Sequence, residues 1–112
     1  MELNLISKAK EKMIEYYAGD SRRVHHFLKV HSFAKLIGEL EGMQADELEI
    51  LELAALTHDI GIKNAEMKYG YNNGRLQEQE GPPEARRLLR SLDVPEEVTD
   101  RVCYLVGHHH TY

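Results

Sequence analysis

The sequence predicts an all-α fold of about five helices, on three observations. Apolar residues recur at three- and four-residue intervals along most of the chain. Runs of alternating or β-branched residues that would signal strands are nearly absent. The balance of 42% hydrophobic and 29% charged residues is that of a soluble, folded protein. At 112 residues, one domain over 1–112 is expected, long enough to bury a core without staples. The single cysteine, Cys103, excludes an intramolecular disulfide and fits a reducing compartment. The least charged stretch, Leu53 to Ile60, is too short to span a bilayer and contains Asp59. The N-terminal residues carry Glu2, Lys8 and Lys10 and no signal-peptide core, so a cytoplasmic location without membrane contact is expected. A net charge of −5 argues against bulk nucleic acid as a partner. Any phosphate ligand would need a local cation, such as a metal or an arginine pair.

The first helix is marked by Leu3, Ile6, Ala9, Met13 and Tyr17, with Gly19 ending it. Asp20 or Ser21 is placed to cap a second helix from about Arg22 to Leu40, stopping near Gly42. Asp46 is the expected cap of a third, Glu47 to about His58, apolar on most sides and ended by Gly61. From Ile62 to Gln79 periodicity fails, and Tyr69 to Gly74 reads as turn chemistry, so a long, functional loop is expected. Pro82 and Pro83 suit the first turn of a fourth helix, which carries Ala85, Leu88, Leu89 and Leu92. Pro95, Glu96 and Glu97 open a fifth, with Val98, Val102, Leu105 and Val106 on its inner side.

The chemistry-bearing residues are seven histidines in three groups. On the second helix, Val30, Phe33, Ile37 and Leu40 fall within about 40° of His26 at about 100° per residue. That phase predicts a buried His26, either a core histidine bonded to backbone or a ligand. His25 and His31 fall about 100° and 140° away and are expected on the flanks or outside. His58 and Asp59 follow the most apolar helix and can converge only where that helix ends. Either His58 bonds an Asp59 that caps the loop, or the pair serves a cation. Imidazole with carboxylate suits Mn, Fe, Co, Ni or Zn, and the carboxylate also accepts Mg. His108, His109 and His110 end the last helix, with one or two of the rings able to face inward.

Three segments together resemble the HD-domain superfamily of metal-dependent phosphohydrolases. His26 to Ala34, with Val30 and Ala34 four and eight residues after His26, is similar to the family's first motif. Ala54-Ala55-Leu56-Thr57-His58-Asp59-Ile60-Gly61 is similar to its defining A-L-x-H-D-I-G motif, and Val102 to His110 to its V-x-x-I-x-x-H-H element. The resemblance covers about residues 20–110 and implies that His26, His58 and Asp59 ligate a divalent metal. The family's fourth ligand, an Asp on a later helix, has no counterpart after Asp100, so the chain is expected to stop short of it. Two-metal members often carry a His just before a glycine that corresponds to Gly81. Gln77 to Glu80 lack it, so one metal is expected, with His108 and His109 in reach of a second.

The expected activity is hydrolysis of a phosphate ester or anhydride, with a nucleotide as the substrate class. Asp59 is expected as ligand and water orienter, and Glu80 as general base or acceptor for a ligating His. Arg22, Arg23, Lys29 and Lys63 are candidate phosphate contacts, with Arg22 or Arg23 favoured by arginine's bidentate grip and Arg23 also taken as a catalytic candidate. Tyr71 is a candidate to stack on a base. The rival reading is a catalytically degenerate module that senses a metal or nucleotide. A di-iron oxygenase would need more ligands, and a purely structural bundle would leave His26 and Asp59 without cause.

Overall fold

The computed structural model describes residues 4–108 and is all-α. Six helices follow one another: α1 (Leu5–Tyr16), α2 (Ser21–Leu40), α3 (Ala45–Thr57), α4 (Gly61–Tyr69), α5 (Gly74–Ser91) and α6 (Glu96–Val106). They fall into two compact units, residues 1–56 and 57–112. Among the described residues no helix is long and apolar enough to cross a membrane.

In the first unit, Asn4 caps α1 by accepting from the Ser7 amide at 2.8 Å, and Gly19 turns the chain with a φ of +89°. Asp20 caps α2, accepting from the Arg23 amide at 3.3 Å. Ala9 and Met13 of α1, Tyr17 and Phe27 are buried, and the Tyr17 and Phe27 rings lie 6.4 Å apart.

The phase of α2 differs from the expectation. Its buried residues are Phe27, His31 and Gly38, whereas Phe33, Ile37 and Leu40 are exposed and so is His26. The physical reason lies at Gly38, where a Cβ would sit 2.6 Å from Leu48 Cδ1 and 3.2 Å from Leu51 Cδ2. The helix approaches α3 on its small side, a choice that counting large apolar residues cannot reveal. Helix α3 itself begins one residue before Asp46, which therefore stands in the first turn rather than at the cap.

His31, expected on the outside, is 2% exposed and its Nε2 lies 2.9 Å from Glu52 Oε1. Glu52 is the one charge within the apolar run of α3, and a buried carboxylate requires such a partner. Nδ1 of the same ring is buried with no hydrogen-bond partner. Burial holds the His31 pKa below the usual histidine value; the bond to Glu52 opposes this, while Lys10 on α1 and Lys35 on α2 reinforce it. A folded-state pKa below the unfolded one means stability that is complete above about pH 6.5 and lost as pH falls below it. The urea midpoint is therefore expected to drop between pH 7 and 5. His31→Gln, which keeps a donor for Glu52 and does not titrate, should flatten that slope; an unchanged slope would contradict the assignment.

The second unit is built on backbone proximity. A Cβ on Gly61 would lie 2.6 Å from both Gln77 O and Gly81 N and 2.9 Å from Gly81 Cα, so the start of α4 rests directly on α5. A Cβ on Gly81 would in turn meet Val106 Cγ1 of α6 at 2.7 Å. Gly61 therefore does not end α3, as expected, but opens α4, and its missing side chain serves close approach. The segment expected as one long loop holds α4 from its second residue onward and the start of α5. Only Gly70, with a φ of +78°, and residues 71–73 connect them, and Asn73 caps α5 by accepting from the Leu76 amide at 2.9 Å. Pro82 and Pro83 consequently lie inside α5 rather than in its first turn. Two missing amide donors weaken the helix there. It continues because Ala85 and Leu89, fully buried, anchor the following turns. Asp93, at a φ of +58°, closes α5 with the Val94 amide bonded to Leu89 O at 3.1 Å. Arg86 bridges from α5 to Glu96 and Asp100 of α6 at 3.2 and 2.8 Å.

Candidate metal centre

Helix α3 ends at Thr57, and His58, Asp59 and Ile60 form the turn into α4. The turn is fixed at both ends. Thr57 and Ile60 are fully buried, the Ile60 amide donates to Thr57 O at 3.0 Å and the Ile62 amide to Asp59 O at 3.1 Å. Between these anchors the His58 and Asp59 side chains lie outside the helical repeat. His58 Nε2 lies 3.1 Å from Asp59 Oδ2, and the side chains are 17% and 18% exposed. They are thus largely desolvated yet reachable, as a ligand site requires. The expectation that the pair converges because the helix ends is met by this geometry.

Three of the expected side chains offer metal-ligand atoms: a ring nitrogen each from His26 and His58 and a carboxylate oxygen from Asp59. Two imidazoles and one carboxylate are the donor set preferred by first-row divalent ions, so the residues fit such an ion. His26 is presented from the exposed side of α2, a correction to the buried position its helical phase suggested.

Each of the other candidates has its own surroundings. Glu80 lies on α5 and is 7% exposed, its Oε1 held by Lys68 Nζ at 2.7 Å and its Oε2 accepting from Gln79 Nε2 at 3.4 Å. The bond to Glu80 raises the Lys68 pKa, so the ammonium stays charged. Gln79 also donates to the Tyr69 hydroxyl at 3.2 Å. Lys68 was not singled out from the sequence. Its pairing with Glu80, 12 positions away, lies beyond the reach of local pattern. Arg22 is exposed, and Arg23 Nη1 pairs with Asp20 at 3.4 Å. Lys63 and Tyr71 are exposed. His108 is turned onto its own helix. Its ring stacks on Tyr104 at 4.1 Å, with Nδ1 at hydrogen-bond distance, 2.6 Å, from Tyr104 O. His109 and His110 lie outside the described residues. Cys103 is buried with its thiol pKa pushed up by burial, which makes it a packing residue rather than a nucleophile.

In comparison with known families the chain matches the HD domain over residues 23–112. No curated protein and no solved structure matches the chain.

Proposed function

Because the chain belongs to the HD domain family, whose members are generally metal-dependent phosphohydrolases, we propose that it hydrolyses a phosphate ester or anhydride, with nucleotides as the substrate class. The observation that carries this reading is the His58–Asp59 pair, held at 3.1 Å on a turn whose flanks are buried. His26, His58 and Asp59 would hold the ion, which when bound supplies Lewis acidity and a water acidic enough to attack near neutral pH. His26 and His58 would each offer a ring-nitrogen lone pair to the ion. Asp59 would serve both as a ligand and to orient the attacking water. Glu80, ordered by Lys68 and Gln79, is the candidate general base. Arg22, Arg23 and Lys63 would neutralise phosphate oxygens, with Arg23 releasing Asp20 to do so, and the exposed Tyr71 ring would stack on a base. His108 and His109 are the candidates for a second ion or a phosphate contact.

The test is a panel of nucleotides and p-nitrophenyl phosphate, offered with Mn²⁺ or Co²⁺ to protein purified without a histidine tag. Turnover that chelator abolishes and added metal restores is expected. Metal and nucleotide binding without turnover would instead establish a sensing module.

A further inference from the structure

A buried polar pair joins the two helices that lead to the candidate ligands. His31 of α2 and Glu52 of α3, 2% and 7% exposed, meet at 2.9 Å between Nε2 and Oε1. With Nε2–H donating to the carboxylate, Nδ1 keeps a lone pair, and that atom is buried with no hydrogen-bond partner. For stability alone the choice is poor. Two leucines would fill the space without an orphaned nitrogen, and replacements of buried charged pairs by apolar residues are often neutral or stabilising. What leucines lack is direction. Apolar contact is indifferent to sliding, whereas a hydrogen bond fixes both distance and angle.

Direction matters because of what lies beyond the pair. Helices α2 and α3 are in apolar contact where Gly38 lies against Leu48 and Leu51, and in polar contact at His31 and Glu52. Five residues beyond the pair along α2, away from the Gly42 turn, stands His26. Five residues beyond it along α3 stands Thr57, the last helical residue before His58 and Asp59. Each stretch is about 7.5 Å of helix, stiff enough to carry a displacement from one end to the other. His26 is exposed and takes its place from the helix that bears it. A slip of α2 by one residue would carry it about 1.5 Å, beyond the tolerance of about 0.5 Å within which a ligand set must be held. We propose that His31 and Glu52 are positioning residues, whose hydrogen bond pins α2 on α3 and so sets the place of His26. The pinning involves α2 and α3 alone; its service to His26 rests on the reading of His26, His58 and Asp59 as metal ligands.

Two readouts separate the pin from the metal. Spin labels at Lys29→Cys and Glu47→Cys, both exposed positions, report the distance between α2 and α3 in the metal-free protein, while the buried Cys103 stays unlabelled. With the pair intact, one narrow distance distribution is expected. Joint replacement by His31→Leu and Glu52→Leu should leave the urea midpoint at pH 7 no lower, yet shift or broaden the distribution by at least about 1.5 Å, one helical step. Calorimetric titration of the same variant should show Mn²⁺ binding weakened about 10–100-fold, the scale lost when a group that orients a ligand is removed. His31→Gln, which keeps a donor for Glu52, should restore both the narrow distribution and the wild-type affinity. If the double variant fails to fold, Glu52→Asp decides, since it keeps the charge, shortens the arm by one methylene and should weaken Mn²⁺ binding at least about ten-fold. An unchanged distance distribution in the double variant overturns the pin, and a changed one with unchanged Mn²⁺ affinity overturns its service to His26. A wild type that binds no Mn²⁺ overturns the metal reading instead, and the distance distributions then judge the pin by themselves.

Discussion

Gly61→Ala is expected to destabilise the protein by about 2–3 kcal/mol, at the upper end of overpacking costs. Helix propensity argues the other way, since alanine is favoured over glycine by about 1 kcal/mol within a helix. That gain is small at the first residue of α4, where the helix is only beginning. Against it, the new methyl would sit 2.6 Å from Gln77 O and Gly81 N, both backbone atoms of α5. Backbone cannot swing aside as a side chain can, so α4 must move away from α5. Gly38→Ala gives the contrast. Its closest encounter is also 2.6 Å, but with the terminal methyl of Leu48, which can rotate, so a smaller loss is expected. Urea unfolding of the two variants checks both values, and equal or negligible losses would contradict the backbone contact. The same contact gives Gly61 a functional consequence. It fixes α4 two residues after Asp59, so activity should fall with stability in Gly61→Ala.

The second large effect is expected at the turn itself. His58→Ala and Asp59→Ala should each lower metal-dependent turnover by about 10²–10³-fold, the scale lost when one group of a preorganised electrostatic site is removed. Neither change should cost much stability. The side chains project from a turn whose buried anchors are Thr57 and Ile60, and Asp59 keeps its backbone bond to the Ile62 amide in either variant. Circular dichroism with steady-state assays separates the two effects. Variants that retain turnover would show that the chemistry lies elsewhere.

The sequence made the helices legible where apolar period agrees with a start or stop signal, as in α1, stopped near Gly19, and α6, opened by Pro95, Glu96 and Glu97. Its failures have physical causes. In α2 the large residues outnumber the small ones, so the stripe of Phe33 and Ile37 was expected inside, while the helix packs on Gly38. Helix α4 was missed because only Ile62 and Ala65 of its side chains are buried, too few to set a period. Pro82 and Pro83 looked like a beginning because the stronger start, Asn73 with Leu76, lies among turn residues. The metal-ligand types at His58 and Asp59 were readable from their place at the end of an apolar helix. The pairings of His31 with Glu52 and Lys68 with Glu80 join residues 21 and 12 positions apart, a distance that local pattern does not span.

Calorimetric titration of Mn²⁺ into untagged protein, beside His26→Ala, His58→Ala and Asp59→Ala, tests the central claim most directly. Wild-type protein is expected to bind a divalent ion, and each of the three variants to bind it at least about ten-fold more weakly. Absence of binding to the wild type, or affinity unchanged by Asp59→Ala, would contradict a metal centre built on His26, His58 and Asp59.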